Sequence, residues 1–276
     1  MTEIPFGYAK LDHPDILAVL FHPRKDVSTQ PPPNAVAHDI SVADGITVEG
    51  RLHLSDPAAP HILFFHGNGE IVSDYDDIGP MYNAVGLNFL AVDYRGYGNS
   101  TGTPTASSMM ADAHTIFSWI KEWMSRENRT GSLIVMGRSL GSACAIELAA
   151  SYPEDIVGLI IESGFAHTLP LLLTLGVDAN TLDFSEMNGF KNAQKISGIA
   201  KPTLILHGQF DEIIPVASAE ILQSLSPAKG KEFQMVPGAD HNTIIEKTGR
   251  MYFEVIKRFT DKIACIKPKR YVSRRK

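Results

Sequence analysis

Cysteine is almost absent: Cys144 and Cys265 are the only two in 276 residues. That is too few for a disulfide framework or a zinc site, and it suits a reducing, cytoplasmic setting. Long hydrophobic runs are lacking too. The apolar stretch 16–21 is too short, and wrongly flanked, for a signal-peptide core. The leucine-rich 169–177 holds Pro170 and Thr174 and spans under half of the ~20 residues a membrane helix needs. Neither export nor a membrane span is expected. Positive charge is also in short supply, since the formal net charge is −6. An acidic body speaks against nucleic-acid binding. The exception is 267–276, where six of the ten side chains are basic; such a terminus is expected to be a solvated tail. No metal-ligand motif appears, and no cofactor is expected.

What is present is a globular composition, 44% apolar and 20% charged, able to bury a substantial core. Three consecutive prolines, Pro31 to Pro33, remove three donors and fix φ, so they set apart a lead, residues 1–34, expected as a linker or an arm draped over the surface. Residues 36–42 and 46–54 then alternate apolar and polar around Asp44-Gly45, the pattern of a β-hairpin. The runs 62–65, 87–92, 132–136, 156–161 and 203–206 are short and almost wholly apolar, as strands buried on both faces of a parallel sheet are. In 105–127, Met109, Ala113, Phe117, Ile120 and Met124 recur at helical spacing. This alternation predicts an α/β fold with a doubly wound, mostly parallel sheet behind an antiparallel hairpin. The core is expected over 35–165 and 201–264, with a basic tail at 265–276. Between them, 166–200 shows no central strand and is expected to be a small helical cap.

The strongest local signal is Gly137-Arg138-Ser139-Leu140-Gly141, between the apolar run ending at Met136 and the helical stretch 143–150. A serine on a sharp strand-to-helix turn exposes its hydroxyl, needs small neighbours and lies beside unpaired helix N–H groups, among which the Leu140 amide is placed to serve a developing oxyanion. The bland alternative is a glycine-rich turn with an incidental serine. A serine hydroxyl needs a base, commonly histidine, oriented by an acid. His241 lies in a loop after the strand-like 232–236, on the edge of the sheet where the Ser139 turn lies. For the acid, Asp211 follows the strand 203–206, and Glu162 is its rival at the end of another; the chain order Ser, Asp, His favours Asp211. The loop His66-Gly67-Asn68-Gly69 is expected to supply the second oxyanion donor from the Asn68 amide, with Gly67 allowing the turn and the close approach of substrate. His66 is expected to be structural.

These pieces, together with Asp93-Tyr94-Arg95-Gly96-Tyr97-Gly98-Asn99-Ser100, His207-Gly208-Gln209-Phe210-Asp211 with Pro215, and Gly238-Ala239-Asp240-His241-Asn242, resemble the successive blocks of α/β-hydrolases. The branch they are most similar to is the Bem46-like group, which overlaps with proteins labelled serine aminopeptidase S33-like hydrolases. The resemblance covers about residues 36–260. It implies a cofactor-free serine hydrolase forming an acyl-enzyme, a class that includes esterases, thioesterases and lipases, acting on a small-molecule acyl ester or thioester. The lead lacks the membrane anchor that some eukaryotic members carry, and 166–200 matches no assignable cap. Two other readings stay open: a non-catalytic scaffold on the same fold, and a peptidase of the S33 type. Of the cap leucines, Leu172 and Leu175 are expected to help line the acyl site, with packing against the body as the alternative.

Overall fold

The computed structural model describes residues 7–27 and 30–264; the basic tail and Cys265 lie outside them. Helix α1 (Pro14–Leu20) precedes the hairpin β1 (Ala35–Ala43) and β2 (Ile46–His53). Then follow β3 (His61–Phe65), α2 (Gly79–Ala84), β4 (Asn88–Val92), α3 (Ala106–Arg126), β5 (Leu133–Arg138), α4 (Ser142–Ser151) and β6 (Gly158–Glu162). The chain continues through α5 (Thr168–Thr174), α6 (Asn192–Ile196), β7 (Thr203–Gly208), α7 (Val216–Leu225), β8 (Glu232–Val236), α8 (Ile244–Thr248) and α9 (Arg250–Ile263). The eight strands form one sheet in the order β1-β2-β4-β3-β5-β6-β7-β8. β1 and β2 pair antiparallel, β2 meets β4 antiparallel, and every later pairing is parallel. The structure thus has the expected class, an α/β-hydrolase fold with an antiparallel start.

The apolar runs are continuous because both faces of the sheet are covered. Leu63, Phe65, Val135, Leu159 and Ile161 point into a core shared with α3 and α4, whereas Ile62, Phe64, Ile134, Met136 and Ile160 point into one shared with α2 and α9. Period-two alternation of side chains thus serves two cores at once. Helix α3 starts at a capping box, with Thr105 Oγ1 accepting from Ser108 N at 3.0 Å and Ser108 Oγ from Thr105 N at 2.9 Å, which satisfies amides that have no intrahelical partner.

One segment differs from its sequence-based expectation. The lead is built into the body: Tyr8, Leu11, Ile16, Leu20 and Phe21 are buried in the core that also holds α3 and α4. The prolines interrupt the chain, but five apolar side chains on the near side of them are enough to bind that segment to the fold by burial. In 166–200, α5, a 3-10 turn at Glu186–Asn188 and α6 follow one another with turns between. This segment is pinned by Asn192 Nδ2 to the Phe165 carbonyl at 2.9 Å and by the Glu186 carboxylate, which accepts from Thr168 N and Leu169 N at 3.0 and 2.8 Å.

Candidate active site

The elbow is built by close approach. Strand β5 runs to Arg138, a 3-10 turn takes Ser139–Gly141, and α4 begins at Ser142. Ser139 has φ 51°, a conformation that costs a side chain some strain and holds its hydroxyl at the sheet edge. Glycine is required on both sides. A Cβ on Gly137 would lie 2.2 Å from the Gly141 carbonyl oxygen, and one on Gly141 would lie 2.1 Å from that of Phe65. These contacts press the elbow against α4 and against the loop after β3.

The carboxyl ends of β5, β7 and β8 bring the three expected groups together. His241 Nε2 lies 2.9 Å from Ser139 Oγ, and its Nδ1 lies 2.7 Å from Asp211 Oδ2. Glu162, the rival acid, is engaged elsewhere, with Arg138 Nε at 3.2 Å from its Oε1 and the Tyr252 hydroxyl donating to its Oε2. Asp211 is fixed further by Ile213 N and Ile214 N, which donate to its Oδ1 at 3.1 and 2.8 Å. Burial alone would raise the Asp211 carboxyl, but hydrogen bonds from His207 and His241 outweigh it and hold the group well below the usual carboxylate range. An ionised, oriented carboxylate on Nδ1 leaves Nε2 to accept a proton.

The loop after β3 lies against this elbow. Both ends of the Asn68 side chain are committed: Oδ1 accepts from His22 N at 2.7 Å and from the Tyr97 hydroxyl at 2.9 Å, and Nδ2 donates to the Val19 carbonyl at 3.2 Å. This directs any oxyanion role of Asn68 to its main-chain amide. Gly67 N donates to Glu70 Oε2 at 2.6 Å. His66 is structural, with ring nitrogens 3.1 Å from Asp93 Oδ1 and 2.8 Å from the Gly67 carbonyl.

The cap leucines divide differently from the expectation. Leu172, on α5, is fully buried in the main core, and the partly buried Leu175, which caps the helix, packs against that core. Neither lines the recess beside that helix, in keeping with the alternative of packing against the body. An apolar recess of about 200 Å³ does lie beside α5, and Pro170, Leu171 and Thr174 face it from the helix. Phe165, Ile213, Ile214 and Ile221 are among the other residues of its wall, so it adjoins the loop that follows Asp211.

Three features escaped the sequence reading. His207 Nε2 lies 3.3 Å from Asp211 Oδ2; its i, i+4 spacing from Asp211 was visible, but not its orientation. Arg138 and Glu70 form an ion pair beneath the elbow. The lead holds Asn68 through His22 and Val19. For the last two the partners are far apart in sequence, and no local signal points to them.

Residues 56–177 match a family model described as serine aminopeptidase, S33. The protein Bem46 of Schizosaccharomyces pombe is 29% identical over 229 residues, 80% of this chain and 75% of its own. Among solved structures, the esterase Pf2001 of Pyrococcus furiosus superposes with a TM-score of 0.72 at 16% identity, over 88% of this chain and 99% of its own. A soluble variant of monoglyceride lipase from Saccharomyces cerevisiae, in complex with a substrate analogue, gives 0.64 at 19% identity, over 88% and 98%. The sheet order agrees with the α/β-hydrolase fold of these solved structures, and the chain is similar to the serine aminopeptidase S33 family over residues 56–177 and to Bem46 over most of its length.

Proposed function

We propose that this protein is a serine hydrolase that cleaves carboxylic esters or thioesters through an acyl-enzyme, with Ser139 as nucleophile, His241 as base and Asp211 as the acid that orients it. The observation that carries the reading is the unbroken relay from Ser139 Oγ through both ring nitrogens of His241 to Asp211 Oδ2, at 2.9 and 2.7 Å. Ser139 Oγ attacks the acyl carbonyl while its proton passes to His241 Nε2. The oxyanion that forms is met by the main-chain amides of Leu140 and Asn68, with the N-terminus of α4 adding positive dipole character. Collapse expels the alkoxide or thiolate, which takes the proton from His241. Water then loses a proton to the same nitrogen as it attacks the acyl carbon, and Ser139 is regenerated. Asp211, held ionised, offsets the imidazolium charge at each stage.

The recess beside α5 is apolar and adjoins the Asp211 loop, which supports residues 166–200 as a cap whose Leu171 side helps to seat the apolar part of the substrate. Labelling by a fluorophosphonate probe tests the nucleophile: the wild type is labelled, and Ser139→Ala is not. A folded wild type that resists labelling and hydrolyses neither p-nitrophenyl esters nor a thioester would point instead to a binding scaffold.

A further inference from the structure

Arg138 is a buried cation that the cycle above does not use, and it stands next to the nucleophile. Only 8% of its surface is exposed. Its Nη1 donates to Glu70 Oε1. Its Nη2 donates to the main-chain carbonyl of His241 at 2.9 Å and to Asn242 Oδ1 at 2.8 Å, while Nε lies 3.2 Å from Glu162 Oε1. Glu70 passes the connection on: its Oε2 accepts from Gly67 N at 2.6 Å and from the Tyr75 hydroxyl at 2.9 Å. One guanidinium thus ties the elbow to the loop of Gly67 and Asn68, to the histidine loop and to the end of β6.

A buried charge is costly unless paired, and an apolar side chain often fills such space with less penalty. What an arginine adds is geometry, because its donors are fixed in one plane and spread over nearly every in-plane direction. The loops it joins come from β3, β6 and β8, which are not all neighbours in the sheet, so the strand ladder by itself does not set their relative height at the elbow. We propose that Arg138 is a positioning residue that holds the loop of Asn68, through Glu70, and the loop of His241, through its main-chain carbonyl, in register with Ser139. This inference rests on the serine-hydrolase reading of Ser139 and His241.

The hub also has an electrostatic signature. Around Arg138 stand Glu70 from the loop after β3, Glu162 from β6, Tyr75 from the 3-10 turn Val72–Tyr75 and Tyr252 from α9. His66 acts on Glu70, His241 acts on Glu162, and Asp211 with His207 lies behind His241. Burial opposes the Arg138 charge, but Glu70 and its neighbours outweigh it and keep the guanidinium protonated. Removing the cation leaves Glu162, which interacts with His241, without its guanidinium partner, and this favours the imidazolium. Removing the Glu70 charge leaves the cation in excess, which disfavours it. The acidic limb of kcat/KM, set by protonation of the base, therefore moves to higher pH in Arg138→Met and to lower pH in Glu70→Gln.

The test uses the full chain with p-nitrophenyl acetate, active sites being titrated with a fluorophosphonate so that kcat is expressed per competent site. Arg138→Met is expected to lower that kcat about ten- to a hundredfold with KM within about threefold, as a misplaced constellation does. Arg138→Lys, which keeps the charge without the planar fork, is expected to return the acidic limb to its wild-type position while recovering only part of kcat. Wild-type kcat per titrated site and an unmoved acidic limb in both Arg138→Met and Glu70→Gln, with only a lower melting temperature, would overturn the proposal. If Arg138→Met does not fold, Glu70→Gln decides by the same two readouts. Ser139→Ala separates the two levels: activity surviving in that variant sinks the serine-hydrolase reading itself, whereas loss there with full activity per site in the Arg138 and Glu70 variants sinks only the positioning role.

Discussion

His207 Nε2 lies 3.3 Å from Asp211 Oδ2, the same carboxylate oxygen that stands 2.7 Å from His241 Nδ1. The Ile214 carbonyl lies 2.7 Å from the same His207 nitrogen, so the segment after β7 folds back on its own strand and locks the carboxylate from behind. With Ile213 N and Ile214 N on the other oxygen, Asp211 has little freedom to leave His241.

Asp211→Asn should therefore lower kcat by about four powers of ten with the fold intact, since an amide on Nδ1 selects the wrong imidazole tautomer. Glu162→Gln should cost less than about tenfold, because the Glu162 carboxylate is engaged by Arg138 and Tyr252 rather than by His241 Nδ1. Steady-state kinetics on an activated ester with both variants checks the assignment; the opposite ranking would move the acid to β6.

The elbow glycines should tolerate no side chain. Gly141→Ala places a Cβ 2.1 Å from the Phe65 carbonyl oxygen, backbone that cannot swing aside. A destabilisation of about 3 kcal/mol or more is expected, together with loss of fluorophosphonate labelling. Chemical denaturation measures the first, and a wild-type midpoint would show that the loop after β3 can retreat.

Leu172 and the recess beside α5 should respond in different ways. Leu172→Ala removes a fully buried side chain and should cost about 2–5 kcal/mol, with equal effect on esters of every chain length. Thr174→Trp, which fills the recess, should spare p-nitrophenyl acetate and depress longer acyl esters selectively. Uniform activity across chain length in Thr174→Trp would remove the recess from the substrate path.

Glu147 on α4 should govern part of the acid stability. Burial raises its carboxyl, but hydrogen bonding to His114 and the Lys195 ammonium, 2.5 Å away, carry it down to about 2. A carboxylate depressed on folding contributes stability that is complete above its unfolded value of about 4.3 and is lost as pH falls toward the folded one. Between about pH 4.5 and 2 the melting temperature of the wild type should therefore fall more steeply than that of Glu147→Gln. The variant should be the less stable protein at neutral pH, because it weakens the pairing of a buried Lys195. Parallel melting curves across that pH range would contradict the assignment.

Much of this molecule could be read from its residues in order. A nucleophile elbow is a local object: strand, tight turn and helix lie within residues 133–151, and the close approaches at Gly137 and Gly141 show in the motif. Asp211 and His241 were legible for a related reason, because parallel strands deliver every following loop to one edge of the sheet. Double-faced burial likewise showed in the unbroken apolar runs.

What only the tertiary structure decided depends on contacts between distant segments. Arg138 could be seen in the motif, but its partners Glu70, Glu162, His241 and Asn242 come from other strand ends, and one-dimensional pattern carries no register between them. The lead reads as an arm because prolines sever it from the hairpin; its attachment arises from apolar side chains filling space beside α3 and α4, and from His22 and Val19 meeting Asn68. Leu172 and Leu173 are adjacent and equally apolar, yet the first is buried and the second exposed, and composition cannot rank them. The rotation of α5 against the body does, since neighbouring side chains on a helix point about 100° apart, and only the packed core specifies which of the two faces inward.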